Sequence, residues 1–202
     1  LFAASRFNGA QDLRLSVRGF GARGNFGIRG IRILLDGFPL TLPDGQSALD
    51  DLDPALIARA EVRRGPAGSM YGSSAGGVIS LESPNLFART GLVAGASTGS
   101  YGTYEGRIGY GTSYGDQALG AQASLRHSDG YRDHSKQEHR LYTLQYQGDV
   151  MGGESLSAFL TGVDSPYALD PGGLTQQESR DDRRAASPIN RAFDAGEAVQ
   201  QL

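Results

Sequence analysis

The chain has 202 residues, 39% of them hydrophobic, with a net charge of −3 and neither cysteine nor tryptophan. The missing cysteine excludes disulfides, thiolate metal sites and cysteine nucleophiles. Nineteen basic residues, all arginine except Lys136, are scattered among 22 acidic ones and leave no basic patch for a nucleic-acid backbone.

In chain order, Leu13–Val17 alternates at period two and reads as a strand. Ile31–Leu35 is a short apolar run closed by the turn signal Asp36-Gly37. Asp53-Pro54 reads as an N-cap followed by proline at the first helical position, starting a helix to about Ala58. Asp50, Asp51 and Asp53 are then acids placed where the helix dipole favours them. A strand at Ala60–Arg63 breaks at Gly65-Pro66, Ala67–Tyr71 is expected to make one helical turn, and Gly77–Leu81 is a further strand. This half reads as α+β, with little material for a core of its own.

From about Leu86 the pattern changes to long alternating segments. Tyr104, Gly106, Ile108 and Tyr110 oppose Thr103, Glu105 and Arg107. Leu119, Ala121, Ala123 and Leu125 oppose Gln122, Ser124 and Arg126. Tyr142, Leu144 and Tyr146 oppose Thr143, Gln145 and Gln147, and Leu156, Ala158 and Leu160 oppose Ser155, Ser157 and Thr161. With a less regular segment at 91–98, five strands are expected, each near the length of a tilted membrane-spanning strand. A soluble antiparallel sheet also alternates. The charged and small residues on one face, and the tyrosines near segment ends on the other, favour a membrane barrel. Gly115–Gln117 and Met151–Glu154 read as tight turns, whereas 129–138 is a longer polar loop. Irregular chain is expected from Asp164 to Leu202, carrying a capping box at Thr175–Glu178 with a short helix from about Gln176 to Arg184.

Some motifs imitate other chemistry. Gly19-Phe-Gly21-Ala-Arg-Gly24 has the spacing of a dinucleotide loop, but no helix follows to hold a phosphate. Its glycines read as sites of left-handed backbone and close approach. His127, His134 and His139 lie near Asp129, Asp133 and Glu138, yet match no closed metal motif and read as solvated loop residues. No Ser/His/Asp order, HExxH or paired-carboxylate signature is present.

What stands out is an ordered series. Val17-Arg-Gly-Phe20, Ile33-Leu-Leu-Asp-Gly-Phe-Pro-Leu40, Asp44-Gly-Gln46, Leu52-Asp-Pro54 with Ile57, Glu61-Val-Arg-Arg-Gly-Pro66, Met70-Tyr-Gly72 and Ala75-Gly-Gly-Val-Ile79 together resemble the plug of TonB-dependent outer-membrane receptors. The resemblance implies an α+β plug domain over 1–84, truncated at its N-terminus. The first about five antiparallel strands of a transmembrane β-barrel would follow over 85–163, then a long extracellular loop over 164–202. Because neither end carries a start or stop signal, both ends are expected to be cuts, leaving the barrel incomplete and its sheet edges open.

By the same resemblance the protein sits in the bacterial outer membrane and imports a scarce solute, such as a ferric siderophore or a cobalamin-like cofactor. On the same ground neither an enzyme nor a bound cofactor is expected. Its partners would be the TonB protein, whose binding box lies upstream of residue 1, outer-membrane lipid, and a small-molecule or metal-chelate substrate. Plug arginines of this family pair with wall glutamates, which implicates Arg18 and Arg64, with Glu61 balancing Arg63 and Arg64. Ligand-facing plug positions would be Phe20, Arg23, Asn25, Phe26, Asp44 and Gln46. Two other classes share some of the pattern. An adhesin or autotransporter barrel fragment has the strands without the motif series, and a soluble β-rich binder would fold without detergent.

Overall fold

The computed structural model describes residues 2–4, 8–10, 14–22, 27–42, 44–47, 49, 52, 57–65, 74–83, 90–150 and 154–201. The chain divides into two compact units, Leu1–Arg6 with Gln11–Pro84, and Phe7–Ala10 with Asn85–Leu202. Of the helix expected from Asp53 to about Ala58, residues 53–56 lie outside the described residues, while Ile57 and Ala58 are not helical and lead into a strand. The turns at 67–71 and 151–153 also lie outside the described residues.

In the first unit, β1 (Phe2–Ala4) pairs antiparallel with β2 (Arg14–Ser16), and β3 (Ile28–Arg29) with β6 (Gln46–Ser47). The main sheet is mixed. Its order is β5 (Phe38–Pro39), β4 (Ile31–Leu35), β8 (Gly77–Glu82), β7 (Arg59–Arg64), with β4 and β8 parallel. Central β4 is apolar at four of its five positions because Ile31, Ile33 and Leu35 fill the core on one face while Leu34 is buried on the other. Leu15, Val17, Ile28, Ile79 and Leu81 complete that core. Asp36 and Gly37 both hold positive φ, 49° and 85°, as a two-residue hairpin turn requires. The Asp36 carboxylate then accepts from the Ser83 amide at 2.8 Å, tying the turn to the end of β8. The buried Thr41 hydroxyl accepts from the Ile33 amide at 3.1 Å and meets the Ser47 hydroxyl at 2.6 Å, so the core contains no orphaned hydroxyl there.

The second unit is an antiparallel sheet ordered β14-β13-β12-β11-β10-β9, comprising β9 (Gly91–Thr98), β10 (Tyr104–Tyr114), β11 (Gln117–Ser128), β12 (Gln137–Val150), β13 (Glu154–Leu169) and β14 (Gly196–Gln201). The registers carry the alternation from β9 to β13, with one shift between Glu138 and Arg140 where β12 meets β13. Leu92, Tyr110, Ala121, Leu144 and Leu160 form one continuous row, and Ala94, Ile108, Ala123 and Tyr142 the next. Opposite them, Arg107, Ser124, Gln122, Thr143 and Gln145 share the polar face.

At its C-terminal end this unit differs from the expectation of irregular chain from Asp164 to Leu202. Strand β13 continues six residues past Val163 to Leu169, and β14 forms within the supposed loop. The simple alternation stops near Asp164, which obscured the extension. Pro166, which has no amide to give a ladder, falls in a register shift between Ser165 and Ala168, where that amide is not needed. The intervening chain carries α1 (Gln176–Asp181) and α2 (Pro188–Ala192). The reciprocal capping box is present: the Thr175 amide donates to Glu178 at 2.8 Å and the Glu178 amide to the Thr175 hydroxyl at 3.3 Å.

Candidate functional site

In the first unit the motif residues gather around turns. Val17 and Phe20 exchange two backbone hydrogen bonds of 3.0 Å around Arg18 and Gly19, whose φ angles are 52° and 86°. This is a type I′ geometry that a glycine at the second position makes accessible. The turn leaves Arg18 exposed and carries Phe20 back over Gly30 and Gly76. A Cβ added at Gly76 would lie 2.6 Å from the Phe20 Cβ, so the base of this side chain is packed rather than offered to solvent. Gly21 likewise abuts the Leu15 carbonyl, so a close approach of backbone accounts for this glycine of the dinucleotide-like motif without any phosphate.

The second turn, 42–46, is closed by the Gly45 amide to the Leu42 carbonyl at 2.9 Å and the Leu42 amide to the Gln46 carbonyl at 2.8 Å. Asp44 accepts from the Gln46 amide at 3.0 Å. Arg29, which sequence reasoning passed over, donates to the Gln46 side chain at 3.0 Å and lies 3.7 Å from the Asp44 carboxylate. The register Arg29↔Gln46 brings it there across the β3–β6 pair. Of the expected ligand-facing positions, Phe20, Asp44 and Gln46 are thus on two turns. Arg23, Asn25 and Phe26 lie outside the described residues.

Strand β7 corrects one expected pairing. Glu61 meets Arg63 at 2.8 Å and Arg59 at 3.7 Å, all three on one face at period two. Arg64 is on the opposite face and exposed, so the Glu61 carboxylate is balanced by its i±2 neighbours. The Arg63 hydrogen bond, reinforced by its charge, holds the Glu61 carboxyl below the usual glutamate value.

In the second unit the apolar rows are open to solvent. Leu92, Ile108, Tyr110, Leu119, Tyr142, Leu144 and Leu160 are each at least 50% exposed, far beyond the scattered apolar residues of a soluble surface. At the far end of the same face, where β10–β13 meet their long connections, the chemistry changes to a polar network. Tyr104 stacks on His127 with centroids 4.6 Å apart, and Tyr167 donates to Glu138 at 3.0 Å. Arg140 bonds Glu138 and, at 2.9 Å, Asp164.

The three histidines are not solvated as the sequence suggested. His127 is buried in that network, His139 bonds the Ser165 hydroxyl across β12 and β13, and His134 donates to the Ala195 carbonyl at 3.0 Å. Among the described residues no cluster of three or more such side chains is arranged to hold a metal ion.

The connections above this network are ordered by one arginine. Arg132 donates to the Ala185 carbonyl at 2.8 and 3.1 Å, to Gly172 at 2.6 Å and to Pro171 at 3.2 Å. Arg184 donates to the Tyr131 carbonyl at 3.1 Å, and Tyr131 packs edge-on against Tyr101. Three connections, 99–103, 129–136 and 170–195, therefore form one folded cap.

A small mixed-sheet unit with exposed arginine turns is followed in the chain by an antiparallel meander that is apolar on one face and polar on the other, the alternation of a membrane-facing β-strand wall. The comparisons agree. Residues 2–79 match the family model of the TonB-dependent receptor plug domain. The chain is 32% identical over 145 residues to a hemin receptor of Yersinia enterocolitica, covering 63% of this chain and 19% of that protein. It is 38% identical over 105 residues to a hemin receptor of Yersinia pestis, covering 52% of this chain and 15% of that one. Among solved structures it resembles the pyoverdine outer membrane receptor FpvA of Pseudomonas aeruginosa PAO1, with a TM-score of 0.53, 19% identity, and 66% of this chain on 20% of that one. Over residues 2–79 the chain carries a plug domain of the TonB-dependent receptor type, and antiparallel strands that do not close a barrel among the described residues follow it. The chain spans about a fifth or less of the length of these relatives.

Proposed function

We propose that this chain is the plug and first wall strands of an outer-membrane receptor that takes up an iron chelate of the haem class, energised through the inner-membrane TonB protein. The observation that carries the reading is the 32% identity to a hemin receptor over 145 residues, a stretch too long to lie within the plug alone. The process is binding and passage without covalent chemistry. The apolar rows around Leu144 face lipid and the Gln145 face lines the lumen, as in barrels whose strands alternate. Residues 1–84 act as the plug, and the cap containing 170–195 is extracellular.

Within the plug, Arg18 and Arg64 face the wall, where a guanidinium's planar fork suits carboxylate partners, and the Arg63–Glu61 pair lies on the other face of the same strand as Arg64. Phe20, Arg23, Asn25, Phe26, Asp44 and Gln46 form the plug's contribution to the ligand face, with Arg29 placing the last two. Growth of an iron-starved host carrying or lacking the gene, with haemin as sole iron source, tests the cargo. Loss of growth on haemin but not on ferric pyoverdine is expected. Unchanged growth on haemin refutes the haem class, and uptake that persists without TonB refutes the energised mechanism.

A further inference from the structure

One side-chain hydrogen bond spans 162 positions: the Asn8 carboxamide donates to the Asp170 carboxylate at 2.8 Å. Asn8 belongs to a four-residue excursion, Phe7–Ala10, that groups with the second unit although the sequence on both sides groups with the first. Its side chain is used at both ends, since its oxygen accepts from the Ala10 amide at 3.1 Å and fixes the local turn. Gly9 lies flush with the start of β12, where an added Cβ would fall on the Gln137 carboxamide.

Asp170 is the knot of the cap. Its amide donates to the Ala195 carbonyl at 2.8 Å, closing the two ends of the 170–195 connection on each other. Its carboxylate also accepts from the Gly172 amide at 2.9 Å, and its carbonyl accepts from the Asn190 side chain at 3.2 Å. A hydrogen bond to a part-buried carboxylate is stronger than a neutral one, and the oxygen that accepts from Asn8 also accepts from Gly172, so the loss of Asn8 removes one of its donors.

We propose that the Asn8–Asp170 hydrogen bond is a latch: the N-terminal segment holds the 170–195 cap in its folded form, and withdrawal of that segment loosens the cap. The latch is independent of the cargo and of the energy source. Because the chain joins residues 7–10 covalently to the flanking residues 1–6 and 11–84, movement of those residues is passed to the cap through this hydrogen bond.

The test uses the full receptor in membranes, with trypsin acting on the exposed Arg180 and Arg183 of the cap. Asn8→Asp, which sets two carboxylates against each other, is expected to raise cleavage there about tenfold, following the open population. The reciprocal pair, Asn8→Asp with Asp170→Asn, restores a donor and an acceptor between the two side chains but gives up the Gly172 amide contact of the same atom, and is expected to bring cleavage below that of Asn8→Asp without reaching the starting rate. Should Asn8→Asp lower the amount of receptor in the membrane, Asn8→Ala, which adds no charge, gives the same reading with a smaller rise. Unchanged cleavage in the single variants, or a reciprocal pair no better protected than Asn8→Asp, overturns the latch.

Discussion

Gly77 begins β8, between Ile31 of β4 and Arg64 of β7, and holds a φ of +140°. An added Cβ would lie 2.3 Å from the Arg63 carbonyl oxygen, a backbone atom of the neighbouring strand that cannot swing aside. Gly77→Ala therefore combines a backbone penalty with a clash that pushes β7 and β8 apart. Gly65 isolates the first component: its φ is +115° and nothing lies within 4 Å of its added Cβ. The strain common to both sites is about 1–2 kcal/mol, and the clash adds about 1–3 kcal/mol for Gly77 alone. Against a total stability of about 5–15 kcal/mol for a typical domain, the plug should lose a large fraction from one methyl group. Pulse proteolysis of the receptor in increasing urea, read at the β7 arginines, measures both variants. Equal shifts for Gly65→Ala and Gly77→Ala would refute the contact argument and leave only backbone strain.

Arg132→Lys keeps the charge but cannot span the carbonyls of Pro171, Gly172 and Ala185, so hydrogen exchange across 170–195 should accelerate by about 2 kcal/mol of lost protection; unchanged exchange would show the cap stands without it. The Thr175 amide, then the Thr175 hydroxyl, hold the Glu178 carboxyl below its ordinary value of 4.5. The capping contribution is therefore complete above that value and lost as pH falls through the lower, folded one. Amide protection of α1 should drop on acidification below about pH 4.5, and Thr175→Ala, which removes the hydroxyl but keeps the amide, should weaken that dependence in part while costing about 1 kcal/mol at neutral pH. Leu144→Arg, in the middle of the five-strand apolar row, should cost about 2–4 kcal/mol if that row meets the bilayer midplane. Its mark is a reduced membrane-inserted fraction, and wild-type insertion would contradict the assigned face.

Legibility followed range. Features repeating every two residues, such as Tyr142, Leu144 and Tyr146, were readable because alternation survives whichever strand lies alongside. The Thr175–Glu178 box was readable because it closes within four residues. Arg29 was not, since its role beside Asp44 and Gln46 exists only once β3 and β6 set their register. Asn8 and Asp170 meet through a tertiary arrangement to which neither local sequence points. The histidines misled for the same reason. His127 sits in a polar stretch, but Tyr104, Glu138 and Tyr167 arrive from three other strands to bury it. Strand β13 outruns its expected end because the simple alternation stops near Asp164, while pairing with β12 and β14 continues across a register shift at Ser165–Ala168.

The pairing pattern also bears on how such a chain reaches its folded state. From β9 to β13 each strand bonds to its immediate successor, so every closure involves only a short loop and the wall can grow one hairpin at a time. The plug has no such route. Its β4–β5 hairpin closes locally, but the central β4–β8 pair joins Ile31 to Gly77 in parallel and cannot form until the intervening chain has been made and gathered. By loop length alone, the plug is expected to be the slower of the two to find its register.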